Sequence, residues 1–195
     1  MDNQQETLRS DRIAYLCGLI DGEGCVGVYA RGRLSENKRN HSIQVKPNVS
    51  FCNTERALID EYCSILTELN IPFWVSHRPA KGRNAESWHV TVCGLKRVLH
   101  ILPYIIAGCK GKKRENAQDV LAFCQSRLSD WLRAPYTKEQ FELIERVYAR
   151  NYGKRSAILR DYTRSSRSLK YPNGPEDIVQ TTTLREGGSG NPIVE

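Results

Sequence analysis

The stretch Ser42–Phe51 constrains the fold most. Ile43, Val45, Pro47, Val49 and Phe51 alternate with Gln44, Lys46, Asn48 and Ser50. A period of two describes a strand with one dry face and one wet face, and such a strand persists only in a sheet whose dry face is covered. The chain supplies partners on both sides. Before it, Cys25–Arg33 is extended, with Val26 and Val28 alternating with Gly27 and Tyr29; a polar, basic loop follows over Gly32–His41. After it, Ile71–His77 and Ser87–Cys93 read as two more strands joined by a polar turn through Lys81, Gly82 and Arg83.

Cover for the dry face comes from helices. Residues 11–21 fit a helix with Ser10 or Asp11 as N-cap and Gly22 and Gly24 marking its end. Over 54–69, apolar residues at 58, 59, 62, 65, 66 and 69 keep helical spacing, with Asn53 or Thr54 able to cap. Further helices are predicted from Leu95 to about Ile105, from Glu115 to Arg127 after the basic cluster CKGKKR, and from Thr137 to Tyr152, where Phe141, Ile144, Val147 and Tyr148 form one stripe. Helix, two strands, helix, two strands, helices is the order of an α+β domain with an antiparallel sheet. We expect a flexible N-terminus over 1–10, one domain over 11–160, and a largely disordered tail over 161–195, rich in Ser, Gly, Thr and Pro.

Composition narrows the class of partner. A net charge of +7 suits a polyanionic partner such as nucleic acid, and on charge alone suits an inert basic surface equally. Seven cysteines without any C-x-x-C pair point away from zinc sites and disulfide frameworks, and towards a reducing, intracellular compartment. The polar opening residues do not make a secretory leader, and the longest apolar run, Ile13–Ile20, is too short to span a membrane. The expected setting is a prokaryotic or phage-infected cytoplasm, or an organelle matrix.

Leu16-Cys17-Gly18-Leu19-Ile20-Asp21-Gly22-Glu23-Gly24 combines two unusual features. Ala14, Cys17, Gly18 and Gly22 set small side chains at helical spacings, which suits close approach of a second helix as well as plain packing on a sheet. Asp21 and Glu23 sit at the C-terminal end of the helix, where the macrodipole disfavours carboxylates. A compensating cation is therefore expected there. Glu23, with the Gly22 carbonyl, offers the hard oxygen ligands that Mg²⁺ or Mn²⁺ accepts; Asp21 is divided between metal contact and hydrogen bonding at the helix end.

These nine residues resemble the LAGLIDADG signature of homing endonucleases and related intron maturases, with Cys17, Gly22 and Glu23 as similar-residue exchanges. The order of elements resembles that family's αββαββα fold, an antiparallel β-saddle with helices on one face, here followed by extra C-terminal helices. The resemblance implies a metal-binding acid at Glu23 and a site-specific double-strand DNA endonuclease of the intron-homing type. With a single motif, it also implies a homodimer joined through Ala14, Cys17 and Gly18 on a long pseudo-palindromic target. It further implies an active-site lysine at Lys113, with Lys110 and Lys112 as alternatives, and a solvent-orienting residue at Asn53, which as readily caps the next helix.

With the apolar sides of the strands against helices, the opposite side carries Tyr29, Arg31, Arg33, Gln44, Lys46, Asn48, Ser50, Trp74, Ser76, Arg78, His89 and Thr91. None is acidic, and these residue types read base edges and grip phosphates. Arg146, Arg150, Lys154, Arg155 and Arg160 are expected on flanking phosphates. An intron-RNA maturase and a non-catalytic DNA-binding regulator on the same scaffold are the alternatives. Cleavage with and without Mg²⁺, beside a splicing assay, separates them.

Overall fold

The computed structural model describes residues 2–34, 41–129 and 136–153, apart from the side chains of residues 2–8, 30–34 and 41–43. Nine elements follow in order: α1 (Asp2–Glu23), β1 (Gly24–Leu34), β2 (His41–Asn53), α2 (Arg56–Glu68), β3 (Trp74–Arg78), β4 (Ser87–Cys93), α3 (Leu95–Gly108), α4 (Gly111–Ser129) and α5 (Lys138–Tyr152). The strands form one antiparallel sheet in the order β1-β2-β4-β3. The predicted α+β architecture is the observed one.

Cross-strand partners share a face of the sheet. Val26 pairs with Val49 and Val28 with Pro47; Val49 pairs with Val92 and Phe51 with Val90. This is the buried face. It packs on Leu16 and Ile20 of α1, Ile59, Tyr62 and Leu66 of α2, and Val98, Ile101 and Ile105 of α3. Phe51 stacks on Tyr62 with ring centroids 4.7 Å apart. Each such side chain, fully buried, contributes about 1.5–3 kcal/mol of transfer free energy.

Two glycines set the placement of α1. A Cβ at Gly24 would lie 2.7 Å from the Ile20 Cα, so only glycine lets β1 leave the helix without an intervening loop. At Gly108 a Cβ would lie 2.4 Å from Cys17 Sγ, so α3 approaches α1 where one residue has no side chain.

Several boundaries differ from expectation. The helix α1 begins at Asp2 and takes in residues assigned to a flexible N-terminus: Gln4, Gln5, Glu6, Leu8 and Arg9 all favour helix. Ser10 and Asp11 thus lie mid-helix and cap nothing. Strands β1 and β2 extend to Leu34 and from His41, shortening the expected loop. The third strand starts at Trp74 because Ile71 still belongs to the end of α2, its N–H bonded to the Leu66 carbonyl at 2.8 Å. The helix expected from Glu115 starts at Gly111, so the later part of the basic cluster, residues 111–114, forms the first turn of α4. Thr137 caps α5 reciprocally with Gln140, as expected for a helix beginning there. All seven cysteines are free, and no helix among the described residues is long and apolar enough to cross a membrane. The predicted tail over 161–195 lies outside the described residues.

Candidate nucleic-acid interface and active site

On the face opposite the core, the pairings place Tyr29 beside Lys46, Arg31 beside Gln44, and Arg33 beside Ser42. One row runs Cys25, Ser50, Thr91, Trp74; the next runs Cys52, His89, Ser76, and Arg78 pairs with Ser87. All twelve nominated positions lie on this one face, and no acidic residue shares it among the described residues. Tyr29, Gln44, Lys46, Trp74, Ser76 and Arg78 are exposed, while Ser50, His89 and Thr91 are half-buried. The side chains of Arg31 and Arg33 lie outside the described residues. Asn48 departs from expectation: at 2 % exposure it does not present itself outward. Asn151 of α5 lies over neighbouring Gly27, within 3.0 Å of where a Cβ would stand, and closes that corner of the face.

At the end of α1, the two acids part company. The Asp21 carboxylate accepts the Lys110 N–H at 3.3 Å, immediately before α4. The positive N-terminal pole of α4 therefore supplies the compensation that Asp21 lacks on its own helix. Glu23 is exposed, and no side chain among the described residues pairs with it. The Lys113 ammonium donates to the carbonyl of Gly24, which anchors the lysine at the residue that follows Glu23. Burial raises the Cys25 thiol pKa against the opposing pull of Lys113 and Lys112, which places both lysines near the polar face.

A set of side-chain contacts holds this corner. Asn116, one turn beyond Lys113 and fully buried, donates to the Val26 carbonyl at 3.1 Å and to Asn151 Oδ1 at 2.8 Å. Asn151 donates to the same carbonyl at 3.0 Å. Arg150 bonds Asn116 Oδ1 and Asp119, and Arg146 also grips Asp119. Burial pushes the Asp119 carboxyl up, but the hydrogen bonds from Arg146 and Arg150 outweigh it and hold the pKa low. Arg146 and Arg150, expected on flanking phosphates, are thus committed to α4; Lys154, Arg155 and Arg160 lie outside the described residues.

Two further nominations move. Asn53 falls on the helix side of the sheet by its pairing with Trp88, and its Oδ1 accepts the Glu55 N–H at 2.8 Å: it shapes the entry to α2. The residue that faces the groove at this end of β2 is Cys52, whose Sγ lies 3.1 Å from His89 Nε2. A lone cysteine carries no sequence signal for this; the strand register could have shown it. Cys17 is 3 % exposed, turned against α3 with its thiol donating to the Tyr104 carbonyl at 3.4 Å. It sits in the core of this chain. Ala14, Gly18 and Gly22 lie on the open side, where a Cβ on either glycine would meet nothing within 4 Å.

The donor set fits a hard divalent ion held sparingly. Glu23 and the Gly22 carbonyl are oxygen donors, and no cluster of three or more His, Cys, Asp or Glu exists among the described residues. Mg²⁺, which keeps several waters and shares ligands with phosphate, tolerates so small a protein contribution.

The observed αββαββα order around one antiparallel sheet matches the fold of solved LAGLIDADG homing endonucleases. The chain matches the model of the LAGLIDADG-like domain over residues 10–105. Its fold is similar to that of homing endonuclease I-CvuI in complex with its target, with TM-score 0.62 and 18% identity, covering 85% of this chain and 98% of that one. It is also similar to the archaeal intron-encoded homing endonuclease I-Vdi141I complexed with DNA, with TM-score 0.59 and 14% identity over 78% and 92% of the two chains. For the I-LtrWI LAGLIDADG homing endonuclease bound to target DNA, the TM-score is 0.57 at 16% identity, over 79% and 49%. No curated protein sequence matches the chain.

Proposed function

We propose that this chain is a site-specific DNA endonuclease that hydrolyses phosphodiesters with Mg²⁺ or Mn²⁺ and acts as a homodimer. The observation that carries it is the Lys113 ammonium docked at the residue after exposed Glu23, beside a sheet face that carries no acid among the described residues. The sheet face grips and reads duplex in the major groove, with Lys46 and Arg78 on phosphates and bases and Trp74 and Thr91 against apolar base edges. Glu23 and the Gly22 carbonyl would hold the divalent ion, which supplies an activated water and charge neutralisation. Lys113, anchored on the Gly24 carbonyl, lies where its charge opposes the negative charge that develops on a phosphate. The open stripe of Ala14, Gly18 and Gly22 offers a surface for the same stripe of a second copy, bringing two such corners to a twofold axis. I-CvuI supports the metal requirement by likeness, having been solved with its target in the presence of calcium.

The test uses a duplex target selected from a random library. Glu23→Gln should lower cutting by at least about a thousandfold, as expected for loss of an essential metal ligand, and leave binding within a few-fold. Cutting that survives Glu23→Gln would remove the proposal's centre. Binding should also weaken steeply as salt rises, because several phosphates are neutralised on association.

A further inference from the structure

Cys52 and His89 face each other directly across β2 and β4, on the groove side, in the row that ends at Ser76. Their Sγ and Nε2 atoms lie 3.1 Å apart, and both residues are half-buried. Resting on the DNA-reading role proposed above, we propose that Cys52 is a positioning residue for His89. Its thiol donates to Nε2, fixes the ring, and leaves Nδ1–H as a hydrogen-bond donor towards an acceptor on a base edge in the major groove.

The chemistry of the pair favours this direction. Burial, and then the charge of Arg78, push the His89 pKa down, which keeps the ring neutral with one donor and one acceptor nitrogen. An imidazole nitrogen is a good acceptor and a thiol sulfur a poor one, so S–H to N is the stronger of the two possible bonds. Once Nε2 is occupied in that way, the ring proton resides on Nδ1. A donor there addresses guanine N7 or O6, adenine N7 or thymine O4, and rejects the amino groups of cytosine and adenine. A histidine without such a partner switches tautomer freely and serves as donor or acceptor, which erodes discrimination. Among the described residues, no acidic side chain shares this face to set the tautomer instead.

Two measurements on the full chain decide the matter. Long-range proton–nitrogen spectra of ring-labelled protein should show a protonated Nδ1 and an accepting Nε2 for His89, and Cys52→Ala should make the two tautomers exchange. A ring protonated on Nε2 in the wild type overturns the proposal. The second measurement is enrichment of sequences from a randomised duplex library in EDTA. Cys52→Ala should weaken the base preference by about three- to tenfold at the same base pair that His89→Ala flattens, the worth of one oriented hydrogen bond. Cys52→Ser, whose hydroxyl also donates, should retain it, and the double variant should be no worse than His89→Ala alone. Affinity for non-specific duplex should stay the same throughout. Cys52→Ala with the wild-type preference, or with a loss that adds to that of His89→Ala, overturns the proposal alone. A wild-type chain that enriches no sequence removes the reading of DNA as a whole, and the base-directed role of His89 with it.

Discussion

The two edges of the sheet are built in opposite ways. At the β1 edge, carbonyls that a sheet normally leaves to water are taken up by side chains: Gly24 by Lys113, Val26 by Asn116 and Asn151. Behind them, Arg146 and Arg150 tie α5 to α4. At the other edge, all five residues of β3 are exposed. Val75 shares the core side by its pairing with Val90, yet it is 44 % exposed. The strand is held from the side by His77 stacked on Trp88 and by the His77–Glu86 pair. The fixed edge adjoins Glu23 and Lys113, where the proposed chemistry needs atoms held in place. The loose edge carries Trp74, Ser76 and Arg78, where the proposed reading of a duplex gains more from adapting than from rigidity.

The sharpest way to break this contrast is Asn116→Ala. The lost amide makes bonds to Val26 and Asn151 and accepts one from Arg150, all in a fully buried position. Losing three bonds at a buried position, with Asn151 Oδ1 left without its donor while Val26 keeps Asn151 and Arg150 keeps Asp119, should cost about 2–3 kcal/mol, which lowers the melting temperature by roughly 5–10 °C for a domain of this size. Thermal or urea unfolding measures it. A loss under about 1 kcal/mol would mean that the clamp is incidental.

Little of that clamp was legible in the sequence, and the reason is physical. Alternation at residues 42–51 and helical spacing at 54–69 report burial, so the sheet, its covering helices and the polar face could be read directly. Periodicity is silent about which side chain reaches which carbonyl ninety residues away. Lys113 emerged through resemblance, but Asn116 and Asn151 carried no pattern. For Asn53 and Cys17 the sequence left two roles open, and the fold shows the plainer one, a helix entry and core packing. Each lies next to a residue with the expected exposure, Cys52 and Gly18, and one step along a strand or helix turns a side chain to another face. The helix-end acids raised the right question. Its answer for Asp21, the start of α4, required the fold.

A smaller effect should appear in acid. Asp119 titrates below the usual carboxylate range in the folded chain because the hydrogen bonds from Arg146 and Arg150 overcome the cost of burial. A carboxylate with a depressed folded pKa binds protons more readily when unfolded. Its stabilisation is therefore complete above the unfolded value of about 3.9 and disappears as pH falls through the lower folded value. Unfolding measured from pH 7 to pH 3 should show a decline at the acidic end, and Asp119→Asn should lower stability at pH 7 while flattening that decline. An Asp119→Asn curve parallel to the wild type would detach this carboxylate from the clamp.

The smallest effect should come from the loose edge. His77 and Glu86 lie 2.6 Å apart, but both side chains are about half exposed, at 46% and 50%. An ion pair or hydrogen bond in that setting exchanges contacts with water for contacts with protein at little net gain. Glu86→Gln keeps the size of the side chain and an oxygen acceptor, so unfolding free energy should change by no more than about 0.5 kcal/mol. The ratio to Asn116→Ala matters more than either value alone. If Glu86→Gln cost as much as Asn116→Ala, β3 would be as firmly held as β1. The division between a fixed chemical edge and an adaptable reading edge would then fail at the strand on which it depends.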